Sequence, residues 1–259
     1  MKILTCNIRV FSAQDGNNGW SYRKDICAKV IRDQAPDIIC FQEMQYPQFV
    51  DLSLALPNYE SYGMVDAPTG RNPVNCIFYR ADQYVKISAS GFWLSETPHI
   101  AGSKSWDSSC VRIANWVRLE DRTTGVEFRV VNTHLDHISQ AARENQARLI
   151  VEDALAYPEN YPQLLTGDMN CDCTNPAIGK FKAGGWSDTY RAVHGTENPG
   201  LTYHAFQGDQ FDRGIGKMDW IFAKGAVKTI DAKIMTDSID GRFPSDHYFI
   251  SATNAIETP

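Results

Sequence analysis

The stretch Gln163 to Cys171 reads QLLTGDMNC: a short apolar run ends at Gly167, and Asp168 and Asn170 follow two residues apart. Side chains alternate along an extended segment, so this spacing aims the acid and the amide the same way. Together they offer hard oxygen ligands, a hydrogen-bond acceptor and a donor, the mixture required to hold a phosphate beside Mg²⁺. The same residues are also good turn chemistry, because Gly, Asp and Asn all favour tight bends. What else the chain places near this stretch decides between the two readings.

The chain of 259 residues is long for one average domain, but layered α/β folds reach this size as a single unit. No repeat, low-complexity tract or linker divides it, so one domain over 1–259 is expected. A net charge of −6 argues against sequence-independent gripping of a duplex, which calls for a basic face. Local charge and bound metal can outweigh that total, so a nuclease is not excluded. Seven Cys are scattered without a disulfide framework, several of them inside apolar runs such as IICFQE and VNCIFY. This favours a reducing compartment and a cytoplasmic location. No apolar segment approaches the length of a membrane span. Met1 leads directly into a strand-like run, so no signal peptide is expected unless one was removed before the numbering begins.

Outward from QLLTG, the pattern mixes many strands with a few helices. KILTCNIR (2–9) is too continuously apolar for a half-exposed strand, which predicts burial on both faces, with Asn7 near its end. Helical spacing of Cys27, Val30 and Ile31 predicts a helix over 21–34 with Ser21 as N-cap, stopped by Pro36. DIICFQE (37–43) follows as a strand ending in Glu43, then a helix over 47–56. YESYGMV, NCIFYR and YVKISASGFWL read as extended, and the polar loop 95–109 is long enough to be a functional surface. CVRIANWVRL (110–119) and VEFRVVNTHL (126–135) are strands joined by a turn. The clearest helix covers 139–156, with Ala147, Ile150, Val151, Ala154 and Leu155 as its apolar stripe. A short helix near 176–183, strands near 201–206, at KMDWIFA (217–223) and AVKTIDAKIM (226–235), and a final strand DHYFISA (246–252) complete the chain. Such interspersed elements point to mixed sheets with helices outside.

Polar residues recur where these apolar runs end: Asn7, Glu43, His134 with Asp136, Asp168 with Asn170, Asp219, and Asp246 with His247. Each alone has a structural explanation as a cap or turn. Six such places in one chain are harder to dismiss, because rigid sheets can converge strand ends on one crevice. The segments TCNIR, FQE, NTHLDH, GDMN, KMDWIF and SDHYF resemble, in order, the motif series of the endonuclease/exonuclease/phosphatase superfamily. Deoxyribonuclease I, apurinic/apyrimidinic endonucleases, deadenylases, inositol polyphosphate phosphatases and neutral sphingomyelinases share that series. The match runs from about Lys2 to Ser251. SETP and THLDH look most like a bacterial-type branch near the deadenylase and nocturnin-like enzymes.

The resemblance implies a four-layer α/β/β/α sandwich, two mixed sheets face to face with helices outside, and Mg²⁺-dependent hydrolysis of a phosphoester, with Mn²⁺ as a substitute. Under it, Asn7 and Glu43 look like the first metal-site pair, and Asp246 like the acid that completes the metal shell or holds its waters. His247 is similar to the histidine that contacts the scissile phosphate, and Asp219 to the acid that orients it. Asp168 and Asn170 resemble the pair that positions water and phosphate. His134 is similar to a phosphate-binding histidine, with Asp136 beside it. Whether Asp168 or a His–Asp pair deprotonates the water stays open, as does the number of metals. Arg80 and Arg112 are candidate phosphate contacts, with solvated ion pairs as the alternative. Most of the Trp residues read as core, whereas Trp106, in the polar loop, is a candidate for stacking on a substrate. HxxH (His134, His137) and CxC (Cys171, Cys173) lack the second half of a zinc site. The expected substrate is a nucleic acid, a nucleotide or another soluble phosphoester. A sphingomyelinase-like phospholipid phosphodiesterase is the alternative enzyme, and a catalytically silent binding module the alternative of another class. No obligate protein partner is evident.

Overall fold

Alternation along five apolar strands decides how this chain layers. Twelve strands and five helices are described over residues 1–257 of a computed structural model. In chain order the first half contains β1 (Lys2–Asn7), α1 (Trp20–Gln34), β2 (Ile38–Gln42), α2 (Tyr46–Ala55), β3 (Tyr59–Tyr62), β4 (Ile77–Arg80), β5 (Tyr84–Trp93), β6 (Ile113–Asp121) and β7 (Glu127–His134). The second half contains α3 (Gln140–Ala154), β8 (Gln163–Asp168), α4 (Pro176–Ala183), β9 (Ser187–Asp188), α5 (Thr189–His194), β10 (Asp219–Lys224), β11 (Val227–Met235) and β12 (Phe249–Ile256).

The strands form two six-stranded mixed sheets, ordered β11-β12-β1-β2-β4-β3 and β5-β6-β7-β8-β10-β9. Each has one parallel pair near its centre, β1/β2 in the first and β7/β8 in the second. One face of each sheet meets the other sheet, and Ile3, Cys40, Val130, Leu164 and Ile221 share that inner core. The opposite faces are covered by helices. Leu4, Cys6, Ile39 and Phe41 pack with Cys27, Ile31 and Leu52 from α1 and α2. Val131, Leu165, Trp220 and Phe222 pack with Ala147, Ile150 and Phe181 from α3 and α4. This is the four-layer sandwich expected, and it explains why the central strands carry apolar residues on both sides: both faces are buried.

The inner layer changes character along its length. Beyond the apolar rows lies a buried polar row, in which the Gln42 amide donates to Asn132 Oδ1 at 2.7 Å and to Thr5 Oγ1 at 3.0 Å. The Asn132 amide donates to the Phe41 carbonyl at 2.8 Å, and Thr166 Oγ1 donates to Asn132 Oδ1 at 3.2 Å. These bonds join the two sheets in the buried interior, and groups so satisfied fix the sheets' relative position. One step further along the same inward-facing parity stand Asn7, His134, Asp168 and Asp219. Strand direction thus carries the chain from hydrocarbon, through bridging amides, to ionisable groups at one end of the sandwich.

Several local expectations are corrected. Helix α1 starts at Trp20 with Gly19 as its cap, and no side chain caps it, so Ser21 lies inside the first turn. Leu155 is 66% exposed because it sits past the end of α3, at its C-cap. Residues 201–206 form no strand; Tyr203 makes an isolated bridge to His247. Asp246 and His247 precede β12 rather than open it, in the turn ahead of Phe249. The short β9 and α5 carry no clear periodic signal and were not expected. No described helix is long and apolar enough to cross a membrane.

Candidate active site

Register places the ionisable residues. Asp168 is the last residue of β8 and pairs with His134 on β7 and with Asp219 on β10. Gly167 makes this approach possible: a β-carbon there would lie 2.2 Å from the Thr133 carbonyl oxygen, and its φ is 154°. In the other sheet Asn7 ends β1 beside Gln42, and Glu43 follows with φ 63°. Arg9 (φ 54°) and Asn170 (φ 50°) adopt the same left-handed backbone. Non-glycine residues held there cost about 1 kcal/mol or more each and gather at functional sites.

The side chains form one connected network. The Asn7 amide donates to Glu43 Oε1 at 3.1 Å and to Asp168 Oδ2 at 3.0 Å, linking the two sheets. Glu43 Oε2 accepts from the Val10 N–H at 2.8 Å. Asp168 Oδ1 accepts from the Asn170 N–H at 2.8 Å, and His134 Nε2 lies 3.3 Å from Asp168 Oδ2. His247 Nδ1 is 2.9 Å from Asp219 Oδ2, and its Nε2 lies 3.9 Å from Asp168 Oδ2.

Burial sorts these groups by charge. It pushes the Asp168 carboxyl up to about 7, with Asp219 adding to the effect. It holds His134 well below the ordinary imidazole value, helped by the Arg112 and His247 charges. His247 is buried too, but Asp219, Asp168 and Asp246 outweigh desolvation and raise it to about 10. Asp246 is raised by burial, and Glu43 adds to that.

A cleft of about 470 Å³ opens onto this network. Of the expected residues, Glu43, Arg112, His134, Asp168, Asn170, Asp246 and His247 line it. Asp219 stands behind His247 and is buried. Asn7 is brought to the site: its Oδ1 accepts from the Arg9 N–H at 3.0 Å, and its amide cross-links Glu43 and Asp168. Three candidate substrate contacts fall elsewhere. Arg80 ends a strand antiparallel to β2, which carries it to the opposite end of the sheet, where it pairs with Asp82 at 2.6 Å. Asp136 is fully buried and spends its oxygens on Ser108, Ser109, Ile138 and Ser139, tying loop 95–109 to the start of α3. Trp106 is outside the cleft, and its carbonyl accepts from Ser139 Oγ at 2.7 Å.

Six lining residues were not among the expected site residues, and four of them carry polar or aromatic groups: Arg9, His137, Tyr203 and Cys110. Arg9 lies 3.6 Å from Asp246 Oδ2, and His137 Nδ1 accepts from the Arg112 guanidinium at 3.2 Å. Tyr203 packs edge-on to His247 with centroids 5.1 Å apart, and Cys110 sits at the rim. Arg9 closes the quoted TCNIR segment and could have been found there. The other three depend on loop folding.

Two places could hold a cation. Asp168, Asp219 and His247 bring ligand-capable atoms within 4.8 Å of one another. His247 is engaged by Asp219 through Nδ1, so this trio reads as a proton-holding pair beside an acid. Glu43 and Asp246 suit a hard divalent ion better: both are carboxylates, both face the cleft, and the Glu43 charge adds to the cost of charging Asp246.

The model of the endonuclease/exonuclease/phosphatase family matches residues 4–247. The chain belongs to that family. A Bacteroides vulgatus member of known structure is 32% identical, covering 99% of this chain and 98% of its own, with a TM-score of 0.90. A Bacteroides thetaiotaomicron structure described as a mannosyl-6-phosphatase is 29% identical over 98% of this chain and 99% of its own, with a TM-score of 0.88. Nocturnin of Drosophila melanogaster is 29% identical over 169 residues, 61% of this chain but only 25% of that longer protein.

Proposed function

We propose that this family member is a divalent-metal-dependent hydrolase of a soluble phosphoester. One observation carries the reading: Glu43, Asp246, His247, Asp168, Asn170 and His134, drawn from separate strand ends, converge on one cleft. Two relatives alike over nearly their whole length, one described as a phosphatase, support it.

Glu43 and Asp246 would hold the cation, Mg²⁺ or Mn²⁺, which supplies charge neutralisation at a phosphoryl oxygen. Asp168, poised near 7, takes the proton of the attacking water; its Oδ1 is fixed by the Asn170 N–H and its Oδ2 by the Asn7 amide. The water oxygen bonds to phosphorus as the ester oxygen departs on the opposite side. With Nδ1 held by Asp219, His247 presents Nε2 to the cleft as a donor to the phosphoryl oxygen. His134, neutral, and Arg112 complete the oxygen cradle.

Hydrolysis of bis(p-nitrophenyl) phosphate or p-nitrophenyl phosphate should require Mg²⁺ or Mn²⁺ and stop in EDTA. Glu43→Ala and His247→Ala should each lower turnover by about 10² or more while the circular dichroism spectrum is retained. No turnover with any divalent metal, or a fully active Glu43→Ala, would refute the reading.

A further inference from the structure

Beside the cleft opens a second, smaller recess of about 150 Å³, roughly a third of the cleft's volume. The two are continuous, because Val10, Glu43, Arg112 and His134 line both. The wall of the recess is the segment between β3 and β4. Buried amides clamp that segment to the second sheet: Asn115 donates to the Val74 and Asn75 carbonyls at 2.6 and 3.1 Å, and Asn75 donates to the Ile113 carbonyl at 2.8 Å. The wall is therefore preformed.

Its free polar groups are mixed in kind. The Gln45 oxygen is occupied by the Ser12 N–H at 2.9 Å, and the Asn72 oxygen by the Tyr46 N–H at 3.0 Å. The amide N–H₂ groups of both residues make no hydrogen bond among the described residues, and neither does the Asp66 carboxylate. The recess thus offers two neutral donors and one anionic acceptor, with aliphatic Val74, Val111 and Ile113 between them. Its lining holds no Phe, Tyr or Trp; the His134 imidazole and the Arg112 guanidinium stand at the junction with the cleft. Arg112 Nε is buried without a hydrogen-bond partner, its nearest carboxylate oxygen being Asp136 Oδ2 at 4.0 Å.

We infer that the recess is the leaving-group subsite and that the leaving group is a compact polyhydroxy unit, so that the substrate is a sugar or polyol phosphate. Hydroxyls donate and accept at once, which matches amide donors beside a carboxylate acceptor. A second phosphate would be repelled by Asp66, and a run of nucleotides would not fit. Arg112, shared by both spaces, marks where phosphoryl group and leaving group meet. This inference rests on the hydrolase reading above and gives that site its substrate class.

The test compares kcat/KM for glucose 6-phosphate, mannose 6-phosphate, ribose 5-phosphate and glycerol phosphate with values for AMP, an RNA oligonucleotide and p-nitrophenyl phosphate, under Mg²⁺. A second measurement, calorimetric titration of the preferred sugar phosphate and of inorganic phosphate in EDTA, needs no turnover. At least one sugar or polyol phosphate should exceed AMP and RNA by tenfold or more. Asp66→Ala and Asn72→Ala should lower the ratio of sugar-phosphate to p-nitrophenyl phosphate kcat/KM at least fivefold. In EDTA, Asp66→Ala should weaken the sugar phosphate more than inorganic phosphate. Preference for AMP or RNA, or an unchanged ratio in both variants, would overturn the inference and leave the hydrolase reading intact. Absence of hydrolysis on every substrate would overturn both.

Discussion

At Gly167 the carbonyl of Thr133 stands where any other residue would carry a β-carbon, 2.2 Å away. Backbone cannot yield as a flexible side chain can, so Gly167→Ala should destabilise the protein by about 3 kcal/mol, read as a lower denaturant midpoint. The next residue, Asp168, has the opposite problem: its place is tolerated and its charge is not. Its pKa, raised to about 7, lies above the unfolded value of about 4. The neutral form is therefore favoured in the fold, and stability is lost as pH rises from about 4 through 7. Asp168→Asn keeps the shape without the charge. Metal-free Asp168→Asn should gain thermal stability relative to the natural protein between pH 5 and pH 8, while its turnover collapses. A natural protein whose kcat/KM does not rise with pH through about 7 would argue against Asp168 as the base.

Asp136 shows the reverse sign and acts on an element, the junction of loop 95–109 with α3. Burial would raise its carboxyl, but hydrogen bonds from Ser109, Ser139, Ile138 and Ser108 outweigh that and hold it well below the usual carboxylate range. Its contribution is present above the unfolded value of about 4 and is lost as pH falls toward the folded one. Asp136→Asn should lower the thermal midpoint at pH 7, and the gap to the natural protein should narrow below pH 4. Element by element, most strands and the helix α3 were legible because burial on both faces writes apolar runs, and a helix writes a stripe. The 201–206 segment misled for a physical reason: its one β-bridge is at Tyr203, and its other bonds to the chain around Asp246 and Tyr248 do not continue as a ladder. Arg80 and Arg112 look equivalent as strand-end arginines, yet the antiparallel pairing of β4 with β2 sends one to the wrong end of its sheet.

For the whole molecule, a bound cation should couple to folding, since Glu43 after β2 and Asp246 before β12 come from separate strands of the first sheet. Mg²⁺ or Mn²⁺ at a hundredfold excess over its Kd should stabilise the fold by about 2.7 kcal/mol, a rise of several degrees in Tm. Glu43→Ala should abolish that rise; an equal rise in the variant would place the ion elsewhere.

The amino-acid sequence by itself marked candidate residues for the chemistry and the strand ends at which most of them stand. Apolar runs put Asn7, Glu43, His134 and Asp168 at strand ends, whereas Asn170 lies past the end of β8 in left-handed backbone that alternation does not describe. Only the tertiary structure decided which of them meet. Register and sheet-on-sheet packing join residues as far apart as Asn7 and Asp168, and no local pattern encodes such pairing. That packing sent Asp136 and Trp106 into a loop anchor and brought Arg9, His137 and Tyr203 to the cleft. It also left the amides and carboxylate of Gln45, Asn72 and Asp66 around an annex that their own segments do not announce.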